Sequence, residues 1–563
     1  MDNQNPTWQN LAAEKRESVL NSIPGKWKIT GRIPSVQEQP DVTGPFIQQF
    51  LSPREIEITE TDAVGIVANT STGQWSAVEV TEAFCHRASL AHQLTNCLHE
   101  TFFDAALADA KLLDEHFATF KTSVGPLHGL PVSLKDQFHI KGVDTTMGYV
   151  GWIDTFQGNK DDRRKRTFES ELVRELRASG AVLYCKTSVP HTLMSGETSN
   201  NIIGFTYNPK NRNLTAGGSS GGEGALIGLR GSPAGFGSDI GGSIRIPAAY
   251  NGLYGLRPSA GRIPYEGTAN SMDGQSSMVS VLGPLATTAW SARLLFKSVL
   301  SQEPWLHDPL VVELPWRQSQ EDEVRSLISS SSPLCFGMLV NDGVVKPHPP
   351  VLRALDLVRA VLEKASHKII EWKPPPHSQG VTLVQRHWHL DGGADIHKDF
   401  ALSGEPMIPH VYAAYGPAPT TEASASEVAA LHRELRAYKK EYLDYWLSTT
   451  EQTGTGRPVD AFLMPAAPYG AARKGKSVYA GYTMILNGLD YTAITIPVTN
   501  IDAKIDRVDD EYKPISDKDK IVHEDYDPKI YDGAHVAVQL VGRRFHEEKI
   551  LALAEYIGEL LHQ

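Results

Sequence analysis

The sequence predicts an α/β fold, because short apolar strands and helical segments alternate along the chain. An apolar strand at residues 130–134 ends at the charged Lys135. A helical segment at residues 169–179 leads into the apolar run 181–184, and such alternation favours layers of strands and helices. Near the C-terminus, the apolar run 536–541 precedes a helix with one apolar face.

The other elements are predicted from capping residues and apolar periodicity. We expect residues 76–120 to be helical, because Ser76 and Glu79 have the spacing of a capping box and Asp104 precedes a helix-forming run. Further helices are expected within residues 225–227, 290–300, 350–365 and 425–446, and buried strands at 460–464 and 493–497. Loops are expected at residues 301–335, 403–420 and 501–533.

Composition excludes several classes of function. The 563 residues carry a net charge of −12, and no basic cluster is large enough to bind a phosphate backbone, so a nucleic-acid partner is not expected. The four cysteines lack metal-binding or disulfide spacing, which fits a reducing compartment. The polar N-terminus and the lack of a long apolar run argue against a signal peptide or a membrane span, so we expect a cytoplasmic protein.

A glycine-rich region is the candidate reaction centre. Gly217-Gly-Ser-Ser-Gly-Gly-Glu-Gly224 and Gly237-Ser-Asp-Ile-Gly-Gly-Ser-Ile-Arg-Ile-Pro247 place four serines in backbone that a substrate can approach closely. A purely structural role would explain the glycines but not the recurrence of serine beside them. The region therefore predicts chemistry that uses hydroxyl groups and backbone N–H donors.

Two alternative functions have weak sequence support. A nucleotide-binding loop matches Gly470–Ser477, but Pro465 and Pro468 separate it from the preceding strand and Gly481 interrupts the helix that should follow. The nucleophile elbow of an α/β-hydrolase matches G-x-S-x-G at Gly217 and Gly218, but the preceding residues are too polar for a central strand.

A serine–lysine mechanism adds the base that the glycine-rich region lacks. A lysine can deprotonate a serine if burial keeps its amine neutral, and Lys135 at the end of an apolar strand fits that requirement. A second serine can relay the proton, and Ser219 and Ser243 could form the pair. A solvated surface lysine is the alternative interpretation of Lys135.

These motifs resemble the signature of the amidase signature family of serine hydrolases. The matching segments are Gly217-Gly-Ser-Ser-Gly-Gly222, Asp239-Ile-Gly-Gly-Ser-Ile-Arg-Ile-Pro247 and Val132-Ser-Leu-Lys-Asp136. Within that family the likeness to the fungal acetamidases runs almost end to end, from Trp8-Gln-Asn-Leu-Ala-Ala-Glu-Lys15 to Val538-Gln-Leu-Val-Gly-Arg-Arg544. No motif position departs from the family pattern.

The resemblance implies a role for each motif residue. Ser243 would be the acylated nucleophile, Ser219 a bridging serine held by a cis peptide, and Lys135 the terminal base. The oxyanion would be bound by the N–H groups of Ile240, Gly241, Gly242 and Ser243. The loop would be supported through hydrogen bonds by Ser220, Asp239 and Arg245.

The resemblance also implies the fold and the reaction. It implies one domain, residues 1–563, with a mixed, twisted sheet covered by helices on both faces. Its parts would be a helical segment to about residue 75, a catalytic core to about 300, a variable excursion to about 458 and a C-terminal completion of the sheet. The reaction would convert a small amide such as acetamide to a carboxylate and ammonia or an amine, without metal or organic cofactor. Larger aryl amides or anilides, an amidotransferase subunit and a homodimer stay open.

Overall fold

A computed structural model describes residues 7–330 and 332–562 of the chain. Its strands are β1 Leu98–Thr101, β2 Pro131–Lys135, β3 Val182–Thr187, β4 Ser199–Asn200, β5 Gly204–Phe205, β6 Ala234–Asp239, β7 Tyr254–Arg257, β8 Val281–Ala286, β9 Cys335–Met338, β10 Lys368–Glu371, β11 Ala461–Pro465, β12 Ala493–Asn500 and β13 His535–Val541.

The α-helices surround these strands. They are α1 Trp8–Asn21, α2 Pro45–Gln48, α3 Pro53–Glu60, α4 Ala63–Thr70, α5 Ala77–Thr95, α6 Phe103–Phe120, α7 Glu171–Ala178, α8 Gly221–Gly228, α9 Arg245–Tyr250, α10 Ala289–Leu300, α11 Gln318–Ser329, α12 Pro349–Lys364, α13 His377–His387, α14 Ala394–Ala401, α15 Pro409–Tyr415, α16 Ala425–Ser448, α17 Thr450–Thr453, α18 Gly481–Leu489, α19 Asp517–Glu524, α20 Pro528–Tyr531 and α21 Glu547–Leu561.

One large mixed sheet organises the described residues and confirms the predicted α/β class. Its eleven strands run in the order β1-β3-β2-β6-β8-β7-β12-β13-β11-β9-β10. The strands β3, β2 and β6 are parallel to one another, whereas β8 runs antiparallel to β6. Helices pack against the sheet along its length, including α6 on β3, α10 on β8, and α12 and α21 on β12. Lys135 ends β2, the second glycine-rich segment begins on the neighbouring strand β6, and the first leads into α8, which packs on β2, β3 and β6.

Residues 76–120 are mostly helical, as predicted, but a short strand interrupts them: Asn96 adopts a left-handed conformation that ends α5, and the next segment pairs with β3 as β1. Two expected loops contain helices. The expected loop 301–335 contains α11, which Arg325 joins to Glu555 of α21 at 2.5 Å. Residues 403–420 contain α15, with a proline in its first turn, where the missing N–H costs nothing.

The expected loop 501–533 is also partly helical. It contains α19 and α20, and Ser516 caps α19 by accepting a hydrogen bond from the Asp519 N–H at 3.0 Å. Among the described residues, no helix is both long enough and apolar enough to cross a membrane. Residues 1–6, on which the argument against a signal peptide partly depends, lie outside the described residues.

Candidate active site

Lys135 is the last residue of β2 and is completely buried. Its Nζ donates to Ser219 Oγ at 2.6 Å and to Ser238 Oγ at 2.8 Å. In the described part of the chain, Nζ forms no ion pair with a carboxylate. Burial lowers the pKa of Lys135 from 10.5 to about 7, against the opposing charges of Asp239 and Glu223. The amine is therefore in the environment that a neutral lysine base requires.

Ser238 is a member of this cluster that the sequence left without a role. Its Oγ donates to Gln137 Oε1 at 2.5 Å, so its lone pairs face the Lys135 amine. Gln137 is held in turn by hydrogen bonds from its Nε2 to Tyr265 Oη at 3.2 Å and to the Ala269 carbonyl at 3.1 Å. Alternation along β6 could have placed Ser238 on this face, had that strand been predicted.

Glu223 is a second buried group near Lys135 that sequence reasoning missed. Its carboxylate on α8 accepts hydrogen bonds from Ser133 Oγ at 2.6 Å and Thr187 Oγ1 at 2.8 Å. Burial raises the pKa of Glu223 to about 7, although both hydroxyls favour the charged form. A Cβ on Gly235 of β6 would lie 2.1 Å from Glu223 Oε2, so only glycine fits beside this carboxylate.

Ser219 lies between the cis Gly218–Ser219 peptide and the start of α8. Its side chain and that of Ser243 line the same cavity. Across the described residues, no hydrogen bond joins the two hydroxyls; such contacts often tighten only when substrate binds. The Ser219 hydroxyl therefore contacts Lys135 and shares a cavity wall with Ser243.

Ser220 joins the two serine loops. Its backbone N–H donates to the Ser243 carbonyl at 3.1 Å, and its Oγ donates to the Ser238 carbonyl at 3.5 Å. A Cβ on Gly237 would lie 2.5 Å from Ser220 Oγ, so β6 requires a glycine at this position as it does at Gly235. These contacts hold the Ser219 and Ser243 segments side by side.

The turn after β6 presents backbone N–H groups to the site. In the described residues, the N–H groups of Ile240, Gly241 and Ser243 have no protein acceptor. The Gly242 N–H differs from the expectation for the oxyanion site, because it donates to Asp239 Oδ1 at 2.8 Å. Three of the four predicted donors are consequently available to an incoming anion.

Asp239 and Arg245 form a fully buried ion pair behind this turn. The Asp239 carboxylate accepts from Arg245 Nε and Nη2, both at 3.0 Å, and from Asn487 Nδ2 at 2.9 Å. Arg245 also donates to Asn487 Oδ1 at 2.7 Å and to Gln539 Oε1 at 3.1 Å. Burial alone would raise the pKa of Asp239, but the Arg245 guanidinium holds it well below its usual range. The pair fixes the turn to α18 and β13.

Two connected spaces meet at Ser243. A narrow cavity of about 30 Å³ contains Ser219 and Ser238 in its wall. A wider cleft of about 520 Å³ lies on the other side. Residues of both walls are Leu193, Met194, Ile240, Ser243, Trp388 and Tyr415.

Comparison with known proteins agrees with the motifs and this geometry. The family model described as Amidase matches residues 79–551. The chain belongs to the amidase family. Two curated relatives are named acetamidase: the protein of Aspergillus oryzae is 47% identical over 558 residues, covering 99% of both chains, and that of Emericella nidulans is 46% identical over 555 residues, covering 99% of this chain and 98% of its own.

A solved structure of an amidase supports the same fold. The structure titled fatty acid amide hydrolase superposes with a TM-score of 0.89 and 33% identity, covering 99% of this chain and 95% of its own. The predicted family membership, the α/β fold and the assignment as an amide-hydrolysing enzyme are confirmed by these matches.

The wall of this amidase site contains unusual backbone. Thr192 and Leu193 both have positive φ, +68° and +62°, and both line the narrow cavity. Such conformations are uncommon for residues with bulky or β-branched side chains, and they are concentrated at functional sites. The positive φ values of Thr192 and Leu193 therefore mark this segment of the wall as a candidate part of the functional site.

The structure does not support a nucleotide site at Gly470–Ser477. The N–H groups of Gly475 and Ser477, which would contact a phosphate, donate to the Glu197 carboxylate at 2.9 and 3.0 Å. Helix α18 begins only at Gly481, so the loop does not open a helix as a phosphate-binding loop does.

The nucleophile-elbow alternative is not supported either. Such an elbow follows a buried strand directly, and residues 211–218 form no strand.

Proposed function

We propose that this amidase hydrolyses small aliphatic amides, with acetamide as the reference substrate, through an acyl-enzyme on Ser243. The main support is the Lys135 amine, which is buried, lacks an ion-pair partner among the described residues and donates to Ser219 and Ser238. The two relatives named acetamidase, which align with the chain from end to end, support the substrate class.

In the acylation step, the proton moves from Ser243 to Lys135 through Ser219. Rotation about the Cε–Nζ bond turns the lone pair of the neutral amine toward Ser219. The lone pair takes the Ser219 proton while Ser219 Oγ takes the proton of Ser243. Ser243 Oγ then bonds to the amide carbon, and the carbonyl oxygen becomes an oxyanion. The N–H groups of Ile240 and Gly241 bind that charge, together with the N–H of Ser243; the loss of one such donor costs about 3–4 kcal/mol.

Cleavage returns the proton along the same path. Lys135 gives its proton back through Ser219 to the amide nitrogen, the carbon–nitrogen bond breaks, and ammonia leaves an ester on Ser243. A water molecule then attacks the ester carbon while its proton passes through Ser219 to Lys135. The ester bond breaks, Lys135 returns that proton through Ser219 to Ser243 Oγ, and the carboxylate leaves.

Loop support is the proposed role of Ser220, Asp239 and Arg245. Ser220 joins the two serine segments, and the buried Asp239–Arg245 pair orients the turn that carries the N–H donors. An orientation error of about 1 Å at such a turn can reduce turnover by roughly a hundredfold.

The direct test is the loss of the nucleophile. We expect Ser243→Ala to abolish ammonia release from acetamide while the fold is retained, whereas Ser330→Ala, at an exposed serine after α11, keeps full activity. Mass spectrometry of the wild type during turnover should find the acyl group on Ser243. Near-normal hydrolysis by a folded Ser243→Ala protein would exclude this role.

The same assay separates the alternatives. An amidotransferase subunit would release ammonia efficiently only with its partner enzyme, so the purified chain is assayed alone. A preference for anilides over acetamide would instead assign the site to larger aryl amides.

A further inference from the structure

The two spaces at Ser243 differ in which relay residues they contain. The narrow cavity includes Ser219 and Ser238 in its wall, and the cleft includes neither. Ser243 and Ile240 line both spaces. The proton-transferring hydroxyl therefore opens only into the narrow cavity.

Proton transfer decides which half of an amide enters which space. The proposed function requires Ser219 Oγ to return a proton to the leaving nitrogen, and such a transfer needs heavy atoms about 3 Å apart. The nitrogen must then lie on the narrow side of Ser243. The acyl substituent, on the opposite side of the carbonyl carbon, is directed into the cleft.

The narrow cavity has room for little beyond an amino group. Since a cavity needs roughly 10–15 Å³ to hold a water molecule, 30 Å³ holds about two water-sized groups. A butyl or phenyl group on nitrogen exceeds that volume. The cleft of about 520 Å³ is lined by apolar side chains that include Ile246 and Met484, and it can hold a longer acyl chain.

The wall of the narrow cavity cannot easily expand. Ile396 and Tyr415 belong to this wall and are also buried in an apolar cluster with Tyr149 and Phe400. Forcing extra atoms into such packing typically costs about 1–3 kcal/mol. Met272 is an exception, because it lies between the narrow cavity and a groove on the surface.

We infer that this amidase selects substrates on the nitrogen side of the amide: it accepts primary amides with a range of aliphatic acyl groups and excludes amides with an alkyl or aryl group on nitrogen. The inference rests on the proposed function, because the relay through Ser219 orients the substrate. The narrow cavity limits the size of the group on nitrogen, and the cleft accepts acyl chains of different lengths.

A pair of isomers tests the inference. Hexanamide and N-butylacetamide contain the same atoms, with the four-carbon chain moved from the acyl side to the nitrogen. We expect kcat/KM for hexanamide to lie within about tenfold of that for acetamide and to exceed that for N-butylacetamide by at least about a hundredfold. Similar values for the two isomers would overturn the inference. No ammonia from acetamide itself would instead refute the proposed function.

Two matched substitutions control for the lower intrinsic reactivity of N-alkyl amides. Met272→Ala opens the narrow side, and Met484→Ala enlarges the cleft side. We expect Met272→Ala to lower the hexanamide to N-butylacetamide ratio by about tenfold or more, and Met484→Ala to change the preference among primary amides without raising turnover of N-butylacetamide. An increase in N-butylacetamide turnover by Met484→Ala alone would place the nitrogen in the cleft and overturn the inference.

Discussion

The pH dependence of turnover tests whether burial of Lys135 creates the base. An amine with the ordinary pKa of 10.5 would be neutral in about one molecule in 3,000 at pH 7, whereas a pKa of about 7 leaves about half neutral. Because the base acts when deprotonated, kcat/KM for acetamide should fall about tenfold for each pH unit below about 7 and level off above it.

A carboxylate placed against the amine should reverse this effect. Ser238 Oγ lies 2.8 Å from Lys135 Nζ, so Ser238→Asp places a negative charge within contact distance of the amine. An opposite charge at such a distance typically raises a lysine pKa by about 1–3 units. We therefore expect the acidic limb of the kcat/KM profile to shift to higher pH by that amount, and kcat/KM at pH 7 to fall by about 5- to 500-fold.

The matched control is Ser238→Asn, which has the same shape as the aspartate but no charge. The assay is kcat/KM for acetamide from pH 5 to 10, with circular dichroism to show that both variants are folded. The aspartate variant should recover activity at high pH. In the asparagine variant, the acidic limb of the kcat/KM profile should lie at the same pH as in the wild type or at a lower pH. Identical limbs for the two variants would refute the electrostatic reasoning.

Three further substitutions test the other parts of the site. Lys135→Ala should lower kcat/KM by several orders of magnitude with the fold retained, because the relay loses its base; wild-type activity would remove Lys135 from the mechanism. Asp239→Asn should lower the free energy of unfolding, measured with denaturant, by about 3–5 kcal/mol because Arg245 is left without its partner charge, and a loss under about 1 kcal/mol would contradict this. Gly241→Ala should reduce kcat, because the new Cβ would lie 2.6 Å from Trp388 Cη2; an unchanged kcat would show that the indole yields without moving the turn.

The sequence predicted best where a local pattern coincided with burial. The apolar run before Lys135 forms β2, displaced by one residue from the expected strand, and the C-terminal apolar runs form β11, β12 and β13. Strand β6 was missed because Gly235 and Gly237 give it neither β-propensity nor an alternating pattern. Gly235 is required by its contacts with Glu223 of α8 and Ser133 of β2, and Gly237 by its contact with Ser220, just before α8. A local stretch of sequence contains none of these contacts.

Two residues around the candidate reaction centre were also missed because their contacts are distant in sequence. Ser238 and Glu223 contact Lys135 or its neighbours only after three strands and a helix have come together, so their roles depend on separations of roughly a hundred residues. The cavity wall is built from still more distant segments, including residues 192–194, 270–272 and 388–396. Its volume depends on side-chain packing between them, which periodicity and motif spacing do not describe.

The two glycines of β6 also constrain how this enzyme can vary. In the middle of the sheet, the volume that a core strand normally fills with its own methyl groups is filled by Ser220, Ser133 and Glu223. The interior of the protein and its proposed reactive centre are therefore the same region at this point. A side chain added to either glycine would disturb folding and turnover together, so adaptation to new amides is expected in the cavity walls and not in this strand.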